Sequence, residues 1–163
     1  MREALFSILG ERSRGARVLD LYAGTGALGL EALSRGAKSA VFVDYGEAAL
    51  GLIRKNIELC GFADRSLVVR RDLARGAAFL RELCPAGGFD LIFLDPPYRQ
   101  GLVDSFMWSL AGLALLAEEG VVVAEEGAEV EPVEVYPGFI LEDRRRYGDT
   151  TIWFYNHCRK DVA

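Results

Sequence analysis

The chain has 163 residues, 51% of them hydrophobic, a length that allows one substantial core and excludes two ordinary domains. Its formal net charge of −5 argues against a protein that coats nucleic acid through a broad basic face. The apolar runs are far shorter than a membrane span, and Cys60, Cys84 and Cys158 form no pattern typical of a metal site or disulfide framework. We expect a single, soluble, cytoplasmic domain without a metal site.

The first predicted element is a helix over residues 1–9, after which strand and helix patterns alternate. The predicted strands are 17–22, 39–44, 67–70, 89–94 and 121–125, and the predicted helices are 27–34, 47–60, 73–83 and 103–116. This alternation predicts a parallel sheet with helices on both faces. Two final strands, 141–147 and 150–155, flank Gly148-Asp149 and predict an antiparallel hairpin.

A glycine-rich turn follows the first predicted strand. Gly24, Gly26 and Gly29 have the G-x-G-x-x-G spacing of dinucleotide-binding turns. Asp44 ends the next strand, where a carboxylate can bind ribose hydroxyls. The turn and Asp44 therefore indicate an adenosine-containing ligand, and both NAD and S-adenosylmethionine contain adenosine. The structural alternative is that the glycines only let the helix pack closely against the strand.

Asp20 lies at the carboxyl end of the first strand and favours S-adenosylmethionine over a dinucleotide. A carboxylate there would repel a pyrophosphate but attract the sulfonium and ammonium groups of S-adenosylmethionine, directly or through water. The alternative is that Asp20 caps the N-terminus of the following helix. Asp72, after the third strand, also has two interpretations, which are contact with the adenine amino group and a helix cap.

Asp95, Pro96, Pro97 and Tyr98 directly follow the apolar strand 89–94, at the sheet edge where parallel sheets bind ligands. An exocyclic amine of a base is a poor nucleophile because its lone pair is delocalised into the ring. Asp95 and the Pro96 carbonyl could each accept one amino hydrogen, so that the lone pair faces a methyl donor while Tyr98 stacks on the base. The segment thus predicts amino methylation of guanine, adenine or cytosine; an ordinary turn is the structural alternative.

Two further groups of residues carry weaker signals. Arg144, Arg145 and Arg146 could contact phosphates, or they could be the solvated edge of a sheet. Trp108 and Trp153 lie in apolar helix and strand patterns, and we expect both in the core.

Four segments resemble one known family: residues 2–6 (REALF), 19–36 (LDLYAGTGALGLEALSRG), 89–98 (FDLIFLDPPY) and 146–150 (RYGDT). The sequence resembles, nearly end to end, the RsmD family of bacterial 16S ribosomal RNA guanine-N2 methyltransferases. The resemblance implies the α/β, Rossmann-like fold of class I S-adenosylmethionine-dependent methyltransferases, with a seven-stranded, mostly parallel sheet. It also implies 16S rRNA as partner, in an assembling 30S particle, and we expect a monomer.

The resemblance implies that Asp95, Pro96, Pro97 and Tyr98 hold the target guanine. With Tyr45 and Asp72 added, the candidate S-adenosylmethionine-binding residues are Asp20, Tyr22, Ala23, Gly24, Thr25, Gly26, Leu28, Gly29, Asp44, Tyr45 and Asp72. Family members carry a basic arm before the first helix, and we expect this chain to lack it because residue 1 already lies in that helix pattern. Two alternatives stay open: an adenine-N6 amino methyltransferase of DNA or RNA, and an rRNA-binding module without catalysis.

Overall fold

The computed structural model describes residues 1–158, which form an eight-stranded sheet with helices on both faces. The strands are β1 (Arg17–Leu21), β2 (Ser39–Asp44), β3 (Ser66–Arg70), β4 (Phe89–Leu94), β5 (Leu116–Gly127), β6 (Val135–Tyr136), β7 (Phe139–Tyr147) and β8 (Thr150–His157). The helices are α1 (Arg2–Leu9), α2 (Ala27–Ser34), α3 (Glu47–Cys60), α4 (Leu80–Leu83) and α5 (Leu102–Leu110). Short 3₁₀ turns lie at Gly10–Ser13, Ala63–Arg65 and Leu73–Arg75.

Across the sheet the strands lie in the order β3-β2-β1-β4-β5-β8-β7-β6. Neighbours from β3 to β5 are parallel, whereas the β5–β8, β8–β7 and β7–β6 pairs are antiparallel. The predicted α/β fold, with a mostly parallel sheet and a C-terminal antiparallel hairpin, is confirmed. Within residues 1–158, no helix is long and apolar enough to cross a bilayer.

Two apolar clusters, one on each face of the sheet, hold the helices against it. Alternate residues of β4 divide between the clusters: Ile92 and Leu94 belong to one, Leu91 and Phe93 to the other. Helices α4 and α5 pack into the first cluster, and α1, α2 and α3 pack into the second. Burial on both faces explains why β4 is an almost continuous apolar run in the sequence.

The sheet has one more strand than the seven predicted. The additional strand is β6, which is only two residues long and pairs with the start of β7 across Pro137-Gly138. Gly138 has a φ of +87°, a conformation that glycine adopts without steric cost. A two-residue strand is too short to show the alternating pattern from which strands are predicted.

Two predicted helices were too long. Residues 73–83 form a 3₁₀ turn and the four-residue α4, because Gly76, with a φ of +113°, interrupts the helix between them. Residues 103–116 divide between α5, which ends at Leu110, and β5, which begins at Leu116. The pattern of this apolar run fits a helix throughout. Leu116, however, pairs with Phe89 of β4, so the end of the run belongs to the sheet.

The two tryptophans differ in burial. Trp153, on β8, is 3% exposed, as predicted for a core residue. The prediction for Trp108 was wrong, because its side chain is 54% exposed and packs edge-on against Tyr136, with ring centroids 5.3 Å apart. Trp108 therefore covers the β6 side of the core from outside.

The strand order also fixes where a ligand can bind. β1 lies between β2 and β4, so the chain leaves β1 toward one side of the sheet and later returns to its other side. In open parallel sheets such a switch in strand order creates a crevice at the carboxyl ends of the two central strands. Here that crevice lies beyond β1 and β4, next to the glycine-rich turn and Asp95.

Candidate active site

The strand register places four predicted or newly recognised side chains in one row. Leu21 pairs with both Val43 and Leu94, and Leu94 pairs with Ala124. The residues that follow these positions therefore lie side by side along the carboxyl edge of β2, β1, β4 and β5. They are Asp44, Tyr22, Asp95 and Glu125.

A cleft of about 570 Å³ opens at this row. Its lining consists of Tyr22, Asp44, Asp95, Pro96, Pro97, Tyr98 and Glu125. Among these described residues the charged side chains are all carboxylates. Such a lining repels the pyrophosphate of a dinucleotide and attracts a sulfonium or ammonium group. The structure thus joins the predicted adenosine-binding and amine-binding segments in one acidic cleft.

Tyr22 lies at the centre of the row in an unusual backbone conformation. Its φ is +57°, in the left-handed region that residues with a Cβ rarely adopt. The ring is half-buried and meets Phe106 of α5 edge-on, with centroids 6.2 Å apart. A strained position held by packing on a helix is typical of a functional turn.

Asp44 ties the glycine-rich turn to the end of β2. One carboxylate oxygen accepts a 2.9 Å hydrogen bond from the Gly24 amide, and the other accepts bonds from the amides of Tyr45 and Gly46. Gly24 has a φ of +60°, and a Cβ at this position would meet no atom within 4 Å. The turn therefore leaves open space beside a carboxylate whose position is fixed by three amides.

Asp20 does not line the cleft. Its side chain is 1% exposed, and its carboxyl group accepts a 3.0 Å hydrogen bond from the Gly29 amide in the first turn of α2. The helix cap, given above as the alternative, is the role that these contacts support. Burial raises the pKa of Asp20 to about 8, so at neutral pH it is largely uncharged. Asp20 thus lies behind the turn, whereas the carboxylates of Asp44, Asp95 and Glu125 line the cleft; its contact with the methionine end, directly or through water, stays a prediction.

The raised pKa of Asp20 leads to an expected result for stability. Between pH 4 and 8 the folded chain keeps a proton on Asp20 that the unfolded chain releases, so stability from this group falls as pH rises. Asp20→Asn keeps an acceptor for the Gly29 amide and cannot ionise. Between pH 5 and 9, we expect the free energy of unfolding of the variant to rise relative to that of the wild type, by roughly a few kcal/mol in total. Urea unfolding at several pH values measures this, and parallel stability curves would contradict it.

Asp95 is the predicted acceptor for the amine, and it lies beside a second carboxylate. Burial and the neighbouring Glu125 carboxylate raise the pKa of Asp95 to about 7. Pro96, the next residue, is buried, whereas Pro97 and Tyr98 are exposed on the rim of the cleft. The four residues predicted to hold the base thus lie together at the cleft.

Tyr98 is fixed by two residues that were not identified from the sequence. Its hydroxyl group donates to Oε1 of Glu125 and lies 3.1 Å from the Thr150 hydroxyl oxygen. Burial and the Glu125 contact raise the pKa of Tyr98 to about 12, so the hydroxyl stays protonated. The adjacent Glu126 is buried and accepts a 2.9 Å bond from the Arg99 amide, which anchors the chain after Tyr98.

The remaining predicted cofactor residues divide between contact with the cleft and packing. Tyr45 and Asp72 line an adjoining cleft of about 510 Å³, where Asp72 also caps the 3₁₀ turn at Leu73 by accepting from the Ala74 amide. The Thr25 carbonyl accepts from Asn56 of α3, and Ala23 and Leu28 pack against the second core cluster. Ala23 and Leu28 thus contact the core, whereas Thr25 is exposed and contacts α3 through its carbonyl oxygen.

Gly26 and Gly29 let α2 approach the sheet. A Cβ at Gly29 would lie 2.4 Å from the Phe42 ring, and one at Gly26 would lie 3.3 Å from it. These two glycines match the structural alternative for the motif, and Gly24 is the glycine that borders open space.

Arg144, Arg145 and Arg146 are exposed on β7 and engaged locally. Arg144 pairs with Glu131 at 3.0 Å, Arg145 pairs with Asp143 at 2.9 Å, and Arg146 donates to the Gly148 carbonyl. These contacts favour the solvated edge over a preformed phosphate site.

The fold and the site define a class. The sheet order, the glycine-rich turn with Asp44, and the acidic cleft at Asp95 are those expected of a Rossmann-like methyltransferase, and solved methyltransferases share the fold. The family model described as conserved hypothetical protein 95 matches residues 1–156. The chain belongs to this family, the RsmD family.

Individual relatives agree with this assignment. YlbH of Bacillus subtilis, provisionally named an rRNA methyltransferase, is 35% identical over 157 residues, 95% of this chain and 83% of YlbH. Ribosomal RNA small subunit methyltransferase D of Escherichia coli is 33% identical over 129 residues, 79% of this chain and 62% of that enzyme. A solved conserved hypothetical protein from Streptococcus pyogenes has a TM-score of 0.84 at 33% identity, with 96% of each chain covered.

Proposed function

We propose that this chain transfers a methyl group from S-adenosylmethionine to the exocyclic N2 amino group of a guanine in 16S rRNA. The observation that carries the proposal is the position of Asp95 and Pro96 in the acidic cleft, one strand away from Tyr22 and the glycine-rich turn. The choice of small-subunit rRNA is supported by the E. coli relative, which is named for that substrate. We further propose that the chain acts as a monomer on the assembling 30S particle.

The residues present fit the methyl donor. The Asp44 carboxylate lies next to the open space at Gly24. Ribose hydroxyl groups in that space can donate to the carboxylate in place of the backbone amides. The acidic lining suits a cationic ligand. When bound, S-adenosylmethionine supplies an electrophilic methyl group on a sulfonium.

The chain's own residues orient the amine. Asp95 and the Pro96 carbonyl accept the two amino hydrogens, which turns the nitrogen lone pair toward the methyl carbon. With the donor bound, these acceptors would hold the nitrogen toward its methyl group, and transfer would form the nitrogen–carbon bond and leave the carbon–sulfur bonding pair on sulfur. One N–H proton is then released, and Asp95 is placed to accept it because its raised pKa makes it a competent base near neutral pH. Tyr98, held by Glu125 and Thr150, stacks on the base.

The test is mass spectrometry of rRNA from cells with and without the gene. We expect one N2-methylguanine to disappear from 16S rRNA on deletion and to return when the wild-type gene is supplied. A matched strain that expresses Asp95→Ala separates catalysis from binding, because an rRNA-binding module without catalysis would leave the RNA identical in all strains. Unchanged 16S rRNA with altered adenine methylation would contradict the proposal and favour the adenine-N6 alternative.

A further inference from the structure

Two carboxylates meet at the place where the base is proposed to bind. Leu94 of β4 pairs with Ala124 of β5, so Asp95 and Glu125 occupy adjacent positions at the ends of neighbouring strands. Both side chains line the same cleft. Their proximity disfavours a state in which both are charged and unpaired, as the raised pKa of Asp95 reflects. A ligand with two adjacent N–H donors would relieve this repulsion best.

Glu125 is held in position without using all of its acceptors. Oε1 accepts from the Tyr98 hydroxyl group, which in turn contacts Thr150. A carboxylate has two oxygens and several acceptor sites, so this bond leaves capacity for a further donor. Glu125 pairs with Ile152 of β8, and the pairing of β5 with β4 extends to Ala124, so strand pairing fixes the backbone at Glu125 and directly before it.

The edges of the bases differ at the atom next to the reactive amine. In guanine the N2 amino group lies beside N1–H, so two neighbouring donors face the same way. In adenine the N6 amino group lies beside N1, and in cytosine the N4 amino group lies beside N3, each an acceptor with a lone pair. A pair of carboxylates complements the guanine edge alone, because in the other bases the second carboxylate would face a lone pair.

We propose that Glu125 specifies guanine by accepting its N1–H, while Asp95 accepts a hydrogen of its N2 amino group. This inference rests on the proposed function and adds the residue that selects the base. In this role Glu125 touches the substrate and also positions Tyr98. Binding of adenine would leave Glu125 desolvated against a ring lone pair, and a site built for a hydrogen-bond donor discriminates strongly against ligands that lack it.

The experiment compares guanine with a target base that lacks the 6-oxo group and therefore has no proton at N1. The guanine mapped by mass spectrometry is replaced, by ligation of synthetic RNA into the substrate, with 2-aminopurine, which keeps the amine but has an unprotonated N1. We expect the wild-type chain to methylate guanine roughly 10- to 100-fold faster than 2-aminopurine, as measured by kcat/KM. In Glu125→Gln the amide can donate to N1 of 2-aminopurine. We therefore expect kcat/KM for methyl transfer to guanine to fall roughly 10- to 100-fold in this variant. The ratio of kcat/KM for guanine to that for 2-aminopurine should shrink to within a few fold or reverse.

Thr150→Val is the matched control. It removes the other contact of the Tyr98 hydroxyl group but keeps both carboxylates, so we expect a lower rate with the base preference preserved. Thermal unfolding and S-adenosylhomocysteine binding report whether each variant is folded. If Glu125→Gln loses activity equally on both bases, Glu125 only supports Tyr98 and the inference is overturned. If the wild type methylates no guanine, the proposed function itself fails.

Discussion

Replacement of Asp95 with alanine should lower methyl transfer to RNA by about three orders of magnitude while S-adenosylhomocysteine affinity stays within a few fold. The large loss is expected because the variant lacks the acceptor that orients the amine and takes its proton. Cofactor binding should persist because Asp44 and the Gly24 turn, which we propose as the adenosine contacts, are unchanged. Single-turnover kinetics measure the first quantity and titration calorimetry the second.

The pH dependence provides a second readout of the same residue. Only the ionised Asp95 can take up the proton that the amine releases, and burial beside Glu125 raises its pKa to about 7. The wild-type rate should therefore rise as pH increases through about 7. Asp95→Asn keeps one acceptor oxygen but cannot ionise, so we expect a lower rate without this rise. Wild-type turnover in Asp95→Ala would show that the amine is held by other groups.

Gly29→Ala should destabilise the folded chain by about 3 kcal/mol and lower the melting temperature by roughly 6–12 °C. A Cβ at Gly29 would lie 2.4 Å and 2.9 Å from two atoms of the Phe42 ring, and 3.1 Å from an Asp20 carboxyl oxygen. Phe42 is fully buried between α2 and the sheet, so it cannot move aside without opening the second core cluster. Urea unfolding and calorimetry measure the loss.

Gly51→Ala is the matched control for this substitution. Gly51 lies in α3 and is exposed, and a Cβ there would meet no atom within 4 Å. The same chemical change should raise stability by about 0.5–1 kcal/mol, because alanine favours the helix over the unfolded chain. Equal effects at the two positions would mean that helix propensity, and not contact with Phe42, determines the result at Gly29.

Local sequence signals were sufficient for some elements and not for others. Helices α2 and α3 have the predicted bounds because each combines an apolar face with a glycine just beyond its end. The run from Leu110 to Ala117 is apolar throughout, so its pattern fits a helix or a buried strand equally well. Its division between α5 and β5 is set by pairing with β4, a long-range contact that a local pattern does not contain.

The candidate site was predictable where it depends on strand ends. Asp44 is the last residue of one apolar strand and Asp95 directly follows another, and parallel pairing brings such ends together. Glu125 follows the apolar residues 121–124 and carries the same signal, so it could have been included on the same argument. Thr150 could not, because its position depends on β8 inserting beside β5. For Asp20, strand alternation places the side chain on the α2 face, which favours the cap.

The position of β8 has a consequence for protein synthesis. Among the strands of residues 1–158 this one comes last in sequence, yet it lies between β5 and β7 and brings Thr150 to Tyr98. A nascent chain released before residue 150 would expose the hydrogen-bonding edge of β5 and leave Tyr98 without one of its two supports. We therefore expect prematurely terminated products to have a cleft in which Tyr98 is held by Glu125 without Thr150.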